Sequence, residues 1–332
     1  MEQTLIDAAQ LMTQSNSIVL TTHLMPDGDG LGAEIALYHY LQRLGKKVQI
    51  LNPDPMPERF QFIDKTGVVK LYTPSTQESW DLGVIIDTND PKRLGNFWST
   101  FEKHSKKILI LDHHPSNGNA LALNILYVVD EKSSSIGELL YRFFHYGHDL
   151  LDPHSASFHL SPEIALGLYV SIMTDTNSFR YASTTALSHR IAADLIDYGL
   201  QPEEIYQNIY SSKSAQHLRL IGEVLANVQD TAQGKIAWVE IPAQLRKKYG
   251  AQSDDTQSIV NFLLLIKNAE ILILLREEDD GKIKVSLKSK GKIKVSATAQ
   301  YFGGGGHEFA AGFSSTGTLT EIRDQLLKRI VL

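Results

Sequence analysis

The stretch SIVLTTHLMPDGDG, residues 17–30, decides the fold: an apolar run of strand length stops on His23, Asp27 and Asp29, and a helical pattern follows. Three further runs have the same character, KVQIL at 47–51, LGVIID at 82–87 and KILILD at 107–112. Helical periodicity reads over about 31–44, 135–146 and 161–174. Near-continuous apolar strands that alternate with helices predict an α/β domain, a parallel sheet with helices on both faces. Ligands of such sheets bind beyond the carboxyl ends of the strands.

The metal-competent residues fall at those ends. His23, Asp27 and Asp29 follow the first run, Asp87 ends LGVIID, and Asp112, His113 and His114 follow KILIL. Asp175, in MTDTNSFR, ends the apolar helix that starts near 161. Taken singly, an Asp after a strand is ordinarily a turn or cap residue. Four such sites at element ends, two of them pairing His with Asp, point to metal instead. Carboxylates with imidazole and no sulfur suit Mn²⁺ or Mg²⁺, with Zn²⁺ or Co²⁺ as substitutes. Five or six such ligands exceed what one catalytic ion with open positions takes. Two ions about 3.5–4 Å apart, sharing one carboxylate, would use them, an arrangement suited to in-line hydrolysis of a phosphoester.

Composition sets the bounds. A chain of 332 residues predicts two domains. The net charge of −6 argues against a protein that grips long duplex nucleic acid, and leaves room for a small phosphorylated ligand. The absence of cysteine excludes disulfides and thiolate metal sites. No run reaches the ~18 apolar residues of a membrane helix; the nearest, 259–275, is broken by Asn261, Lys267, Asn268 and Glu270. The first residues carry no basic segment of a signal peptide. A cytoplasmic enzyme without a membrane partner is expected, and a homodimer is compatible with it.

The reading divides the chain into a catalytic α/β domain at 1–184, a helical connector at 185–227 and a smaller α/β domain at 228–332. In the last of these, Gly303, Gly304, Gly305 and Gly306 precede His307. A glycine run is often only a flexible turn, but it also lets backbone N–H groups approach an anion closely. Strand alternation in KIKVSLKSK, 282–290, places Lys282, Lys284, Ser286, Lys288 and Lys290 on one face. The plain reading is a lysine-blunted edge strand. The expectation here is both: outer lysines on an edge, with Ser286 and Lys288 near the ligand. His145, His148, His154 and His159 read as a helix end and loop, and His39, His104, His189 and His217 as surface residues. Trp80, Trp98 and Trp238 lie outside the motifs and are assigned no base-stacking role.

HLMPDGDG, VIIDTND, LDHHP and MTDTNSFR resemble, in order, the four motifs of the DHH phosphoesterase superfamily. KVSLKSKGKIKVSATAQYFGGGGHEFAAG resembles the signature of the DHH-associated C-terminal domain. Together they span most of the chain, whose length and domain pairing are most similar to the nanoRNase/pAp phosphatase family. That resemblance implies a hydrolase with two Mn²⁺ ions, Mg²⁺ or Co²⁺ substituting. Its substrates would be short oligoribonucleotides, linear dinucleotides such as pApA or pGpG, and the 3′-phosphate of pAp. It further implies His23, Asp27 and Asp87 around one ion, and Asp29, Asp87, His113 and Asp175 around the other, with Asp87 as the bridge. His114 would face the substrate phosphate, and Asp112 would orient an imidazole. Ser286, Lys288, Gly303–Gly306 and His307 would bind the other end of the substrate. The family often has Arg where this chain has Lys288, and lysine keeps the charge but loses the bidentate fork. A RecJ-type single-strand exonuclease would be expected to carry extra domains and a longer basic track. A pyrophosphatase would lack the glycine signature, and a non-catalytic nucleotide-binding regulator would have lost its ligands.

Overall fold

In the computed structural model of the chain, which describes residues 2–74, 78–115, 124–151, 159–211, 214–231, 233–251, 256 and 259–330, the apolar runs are strands and the periodic segments helices. The chain forms two compact units, Met1–Ser212 and Lys213–Leu332.

The first unit runs α1 (Glu2–Gln14), β1 (Ser17–Thr21), α2 (Gly28–Arg43), β2 (Lys47–Asn52), β3 (Val69–Leu71), β4 (Trp80–Ile86), α3 (Phe97–His104), β5 (Ser105–Asp112), β6 (Ile125–Val129), α4 (Ile136–Leu151), α5 (Pro162–Asp175), α6 (Ala186–Ile196) and α7 (Pro202–Tyr210). Its sheet has the order β3-β2-β1-β4-β5-β6 and is parallel throughout. Both faces are covered, which is why the strands read as unbroken apolar runs. Ile18, Leu20, Leu109 and Leu111 pack with residues of α2, α4 and α5, while Val19, Ile108 and Ile110 pack against Phe97 and Phe101 of α3. Strand order reverses between β1 and β4, the switch point where such sheets open a crevice.

The apolar periodicity starts α2 near residue 31, but the helix begins at Gly28. Asp27 caps it, its carboxylate accepting the N–H groups of Asp29 at 3.0 Å and Gly30 at 3.3 Å. Periodicity sees only apolar positions, so a first turn of Gly-Asp-Gly is invisible to it. The consequence is functional, because Asp29 is set on a rigid turn and not on a loop.

The second unit runs α8 (Ala215–Ala226), β7 (Gln229–Asp230), β8 (Ile236–Ile241), α9 (Ala243–Tyr249), α10 (Val260–Leu263), β9 (Ile271–Glu277), β10 (Lys282–Ser289), α11 (Ser296–Tyr301), β11 (Gly305–His307), β12 (Ala310–Thr316) and α12 (Leu319–Arg329). Its sheet has the order β11-β12-β10-β9-β8-β7, parallel only between β8 and β9. Two expectations are corrected here. The lysine-rich strand β10 lies between β9 and β12 and is not an edge. Alternation alone cannot tell an edge from an interior strand that is polar on one face. His217 is buried, not at the surface: it lies on the face of α8 that also carries Leu220, Ile221 and Val224, a helical spacing that turns all four inward. His154 and the side chain of His148 lie outside the described residues. Among the described residues no helix is long and apolar enough to cross a membrane.

Helices α2 and α5 carry metal-competent side chains at the same end of the sheet, and their backbones touch. A Cβ on Gly32 would stand 2.4 Å from the carbonyl oxygen of Gly167, and one on Gly167 would stand 2.5 Å from that of Gly32. Backbone cannot rotate aside as a side chain can. Gly32→Ala is therefore expected to destabilise the protein by about 1–2 kcal/mol despite alanine's better helix propensity. Urea unfolding checks this, and a variant as stable as wild type contradicts the close crossing.

Candidate metal centre and substrate face

The carboxyl ends of β1, β4 and β5 and the C-terminal end of α5 bring together His23, Asp27, Asp29, Asp87, Asp112, His113, His114 and Asp175. Two trios have ligand atoms within 4.8 Å of one another: His23, Asp27 and Asp87, and Asp29, His113 and Asp175. Asp87 turns one oxygen toward each. Its Oδ2 lies 3.4 Å from His23 Nε2, and its Oδ1 lies 3.7 Å from His113 Nε2. To reach that position it takes a left-handed conformation, φ 66°, which costs a non-glycine residue roughly 1–2 kcal/mol. Its amide N–H is held by the Leu111 carbonyl at 2.9 Å.

The two inner histidines are wired alike. His23 Nδ1 donates to the Leu24 carbonyl at 2.7 Å, and His113 Nδ1 to the Ser133 carbonyl at 3.2 Å. A carbonyl only accepts, so each ring keeps its proton on Nδ1 and turns Nε2 toward the carboxylates. His113 Nε2 stands 3.2 Å from Asp29 and 3.6 Å from Asp175. A lone pair facing carboxylate oxygens is repulsive unless a proton or a cation lies between. His113 Nε2 and Asp87 Oδ1 are both buried without a hydrogen-bond partner among the described residues. These donors fit divalent cations, whose ligands are neutral imidazole and ionised carboxylate.

Electrostatics agree with that fit. Burial, then the carboxylates of Asp29, Asp27, Asp112 and Asp175, hold the Asp87 carboxyl well above its ordinary range. Burial and Asp29 push Asp175 up to about 7. Burial would lower His113, but Asp29, Asp175 and Asp112 outweigh it and raise the imidazole to about 9. Without a cation, protons must take up the surplus negative charge.

His114 differs from His113. Asp87, His113 and His114 also form a trio of the right size, but the His114 nitrogen in it, Nδ1, already donates to Asp112 Oδ1 at 2.9 Å. The same oxygen accepts the backbone N–H groups of His113 at 2.8 Å and His114 at 3.2 Å. Asp112 is fully buried and His114 half-buried. The arrangement gives Asp112 an orienting place and leaves His114 as a fixed imidazole at the rim.

Other supports were not assigned from the sequence. The Ile136 N–H, at the start of α4, donates to both oxygens of Asp29 at 3.0 and 3.1 Å, and the Ser171 hydroxyl of α5 donates to one of them. The pattern Ser135-x-x-Glu138 marks a helix start, and Ser135 does accept the Glu138 N–H at 3.1 Å. Nothing in that pattern says which carboxylate the next N–H will meet. Behind β1, buried Asn52 accepts the Thr22 N–H at 3.1 Å and donates to buried Glu34 at 2.6 Å, fixing the strand end that carries His23.

With this geometry in place, comparison with known proteins is direct. Residues 17–172 match the DHH family, N-terminal domain, and residues 233–331 match the DHHA1 domain. The chain carries a DHH domain followed by a DHHA1 domain. The bifunctional oligoribonuclease and PAP phosphatase NrnA of Thermus thermophilus is 28% identical over 316 residues, 93% of this chain and 87% of its own length. The protein of that name from Bacillus subtilis is 26% identical over 304 residues, 90% of this chain and 89% of its own. The crystal structure of an exopolyphosphatase-related protein from Bacteroides fragilis shares the fold with a TM-score of 0.88 at 26% identity, covering 99% of this chain and 96% of that one.

In the DHHA1 domain, strand register aligns the expected substrate residues. Ser286 stands opposite Gly312, which stands opposite Gly305; Lys288 stands opposite Ala310, which stands opposite His307. The residues between are small, so little side chain rises between β10 and β11. Gly304 is pressed against β12, where a Cβ would meet the Gly312 carbonyl oxygen at 2.1 Å, and Gly303 and Gly306 have φ of 78° and 138°. Only glycine meets such demands without strain. The side chain of His307 lies outside what is described. Lys288 is half-buried, and burial lowers its pKa. It has no carboxylate partner among the described residues, so it is an ammonium in want of an anion.

Two outcomes are expected. His113→Ala lowers bound metal, whereas His114→Ala keeps full metal content and loses kcat; elemental analysis showing equal metal loss in both contradicts the separation. Because a cation must displace protons from Asp175 and His113, metal affinity should rise with pH through about 7 and level off above about 9. Titrations with Mn²⁺ across that range that show constant affinity would refute it.

Proposed function

We propose that this DHH protein is a two-metal, Mn²⁺-dependent phosphoesterase that cleaves short oligoribonucleotides and linear dinucleotides to mononucleotides and removes the 3′-phosphate of pAp. The observation that carries the reading is the position of Asp87, with one oxygen toward His23 and the other toward His113. Similarity to the two NrnA proteins along nearly the whole chain supports the substrate class.

His23, Asp27 and Asp87 would hold one ion, and Asp29, Asp87, His113 and Asp175 the other. When bound, such a pair supplies Lewis-acid activation and offsets charge on the phosphoryl oxygens. The remaining work belongs to the protein. Asp112 fixes the tautomer and direction of His114, whose ring then holds a phosphate oxygen or passes a proton through Nε2. The Ile136 N–H and the Ser171 hydroxyl occupy one edge of Asp29, so that carboxylate cannot rotate away. Ser286, Lys288, the glycine run and His307 bind the part of the substrate that does not react.

Turnover of pAp, pApA, short RNA, pyrophosphate and a nitrophenyl phosphate by purified protein with Mn²⁺ tests the reading. Hydrolysis of pyrophosphate with no action on pAp or on dinucleotides would reassign it to phosphoanhydrides. A remote contact contributes to orienting the reacting phosphate, so its loss reaches kcat as well as KM. Lys288→Ala and His307→Ala should each lower kcat/KM on pAp or dinucleotides by about 10- to 150-fold, one charged hydrogen bond, and leave the nitrophenyl ester unchanged. A parallel loss on the small ester would make the DHHA1 face merely structural.

A further inference from the structure

Arg93 lies in the 3-10 turn Pro91–Leu94, which begins four residues after Asp87. Asp90 caps that turn, accepting the Lys92 N–H at 3.1 Å. The turn docks on the loop between His23 and Asp27: the Leu24 N–H donates to the Arg93 carbonyl at 2.7 Å, and the Leu24 side chain would lie 3.1 Å from a Cβ on Gly95. That docking uses the backbone of Arg93 and the space at Gly95. Any residue offers a carbonyl, so the guanidinium is not needed for it.

The guanidinium itself is half-buried and makes no ion pair or side-chain hydrogen bond among the described residues. The docked turn nonetheless sets Arg93 beside the loop that carries His23 and Asp27. Arg180, also close in sequence to a metal-competent residue, is otherwise engaged, bonding to the carbonyl and side chain of Asn177 at 3.1 Å. An unpaired arginine beside a cluster of carboxylates is anomalous unless the carboxylates answer to other cations. Charge balance says what remains for it. Five carboxylates, those of Asp27, Asp29, Asp87, Asp112 and Asp175, exceed two divalent cations by one negative charge. A phosphate ester brings at least one more.

We propose that Arg93 is the protein's own phosphate-binding cation at the metal centre, its guanidinium holding a non-bridging oxygen of the phosphoryl group. This rests on the phosphoesterase reading above. The planar fork suits two oxygens of one phosphate and stays charged at every working pH. Because it grips the reacting phosphate and not the remote end of the ligand, Arg93 acts on small and large substrates alike. Lys288 does not.

The test measures binding of inorganic phosphate by calorimetry to the full-length, Mn²⁺-loaded wild type, Arg93→Lys and Arg93→Ala. Metal content and thermal unfolding are read on the same samples. Expected are equal metal content, unchanged Tm, phosphate binding weaker by about 10- to 150-fold in Arg93→Ala, and an intermediate loss in Arg93→Lys. Arg93→Gln, which keeps the stem and removes the charge, carries the comparison if the alanine variant unfolds. Equal phosphate affinity in all forms overturns the proposal. So does a loss of metal large enough to account for the weaker binding, which would make Arg93 a support for the His23 loop. If phosphate binding follows Arg93 while wild type hydrolyses none of the nucleotides, the Arg93 assignment stands and the substrate reading falls.

Discussion

Repulsion among buried carboxylates is the constraint on which the rest of the first unit depends. Asp29, Asp87 and Asp112 are each 2% exposed or less, and they converge on one crevice. Taking a single unpaired carboxylate out of water is costly, and several at once would drive most of them to protonate. The fold does not avoid this cluster. It builds the cluster and commits the neutral donors to keeping it in place. Both inner histidines spend Nδ1 on backbone carbonyls, and Asp112 spends one oxygen on three N–H groups of the two adjacent histidines. What stays unspent are oxygens and Nε2 atoms directed inward, a donor set that fits divalent cations.

Rigidity follows from the same need. Like charges separate if their backbones can move, so each carboxylate is tied to a well-packed element. Asp27 caps α2, Asp29 is in its first turn, and Asp87 is strained at the end of β4 with its amide bonded to β5. Asp175 ends α5, pressed backbone to backbone against α2 through Gly32 and Gly167. The Asn52–Glu34 pair behind β1 is also buried, and burial holds the Glu34 carboxyl well above its usual range. A protonated acid there donates and accepts without adding a further negative charge near the centre.

Much of this was legible in the sequence, for identifiable reasons. A parallel sheet covered on both faces makes unbroken apolar strands, and a polar residue that ends such a strand is conspicuous, as His23, Asp87 and Asp112 are. Helix α5 was readable because Asp175 closes a long apolar run. The limits were equally physical. Asp27 and Asp29 looked like a loop because Gly28 and Gly30 erase the helical signal. Ser171 and Ile136 were unreadable as supports of Asp29, since sequence distance says nothing of which N–H meets which oxygen. The interior position of β10 was missed because its alternation of lysine with apolar residues looks the same on an edge strand. Arg93 was silent for another reason: an arginine in a polar turn is ordinary until its lack of a partner is seen.

The two units then show opposite electrostatics, which bears on ligand size. The DHH unit gathers acids that only small, highly charged cations can satisfy. The DHHA1 domain presents a half-buried lysine without a carboxylate partner among the described residues, and a backbone shaped by glycine. Affinity for long nucleic acid grows with the number of phosphates neutralised, each released counterion adding to it. Here acids outnumber Lys and Arg by 38 to 32, and the chain as a whole carries a net charge of −6. Each further phosphate of a long strand would therefore meet a chain that is acidic on balance. A ligand with one or two phosphates uses every favourable contact and meets little of the unfavourable field, so electrostatics alone favour the short substrate.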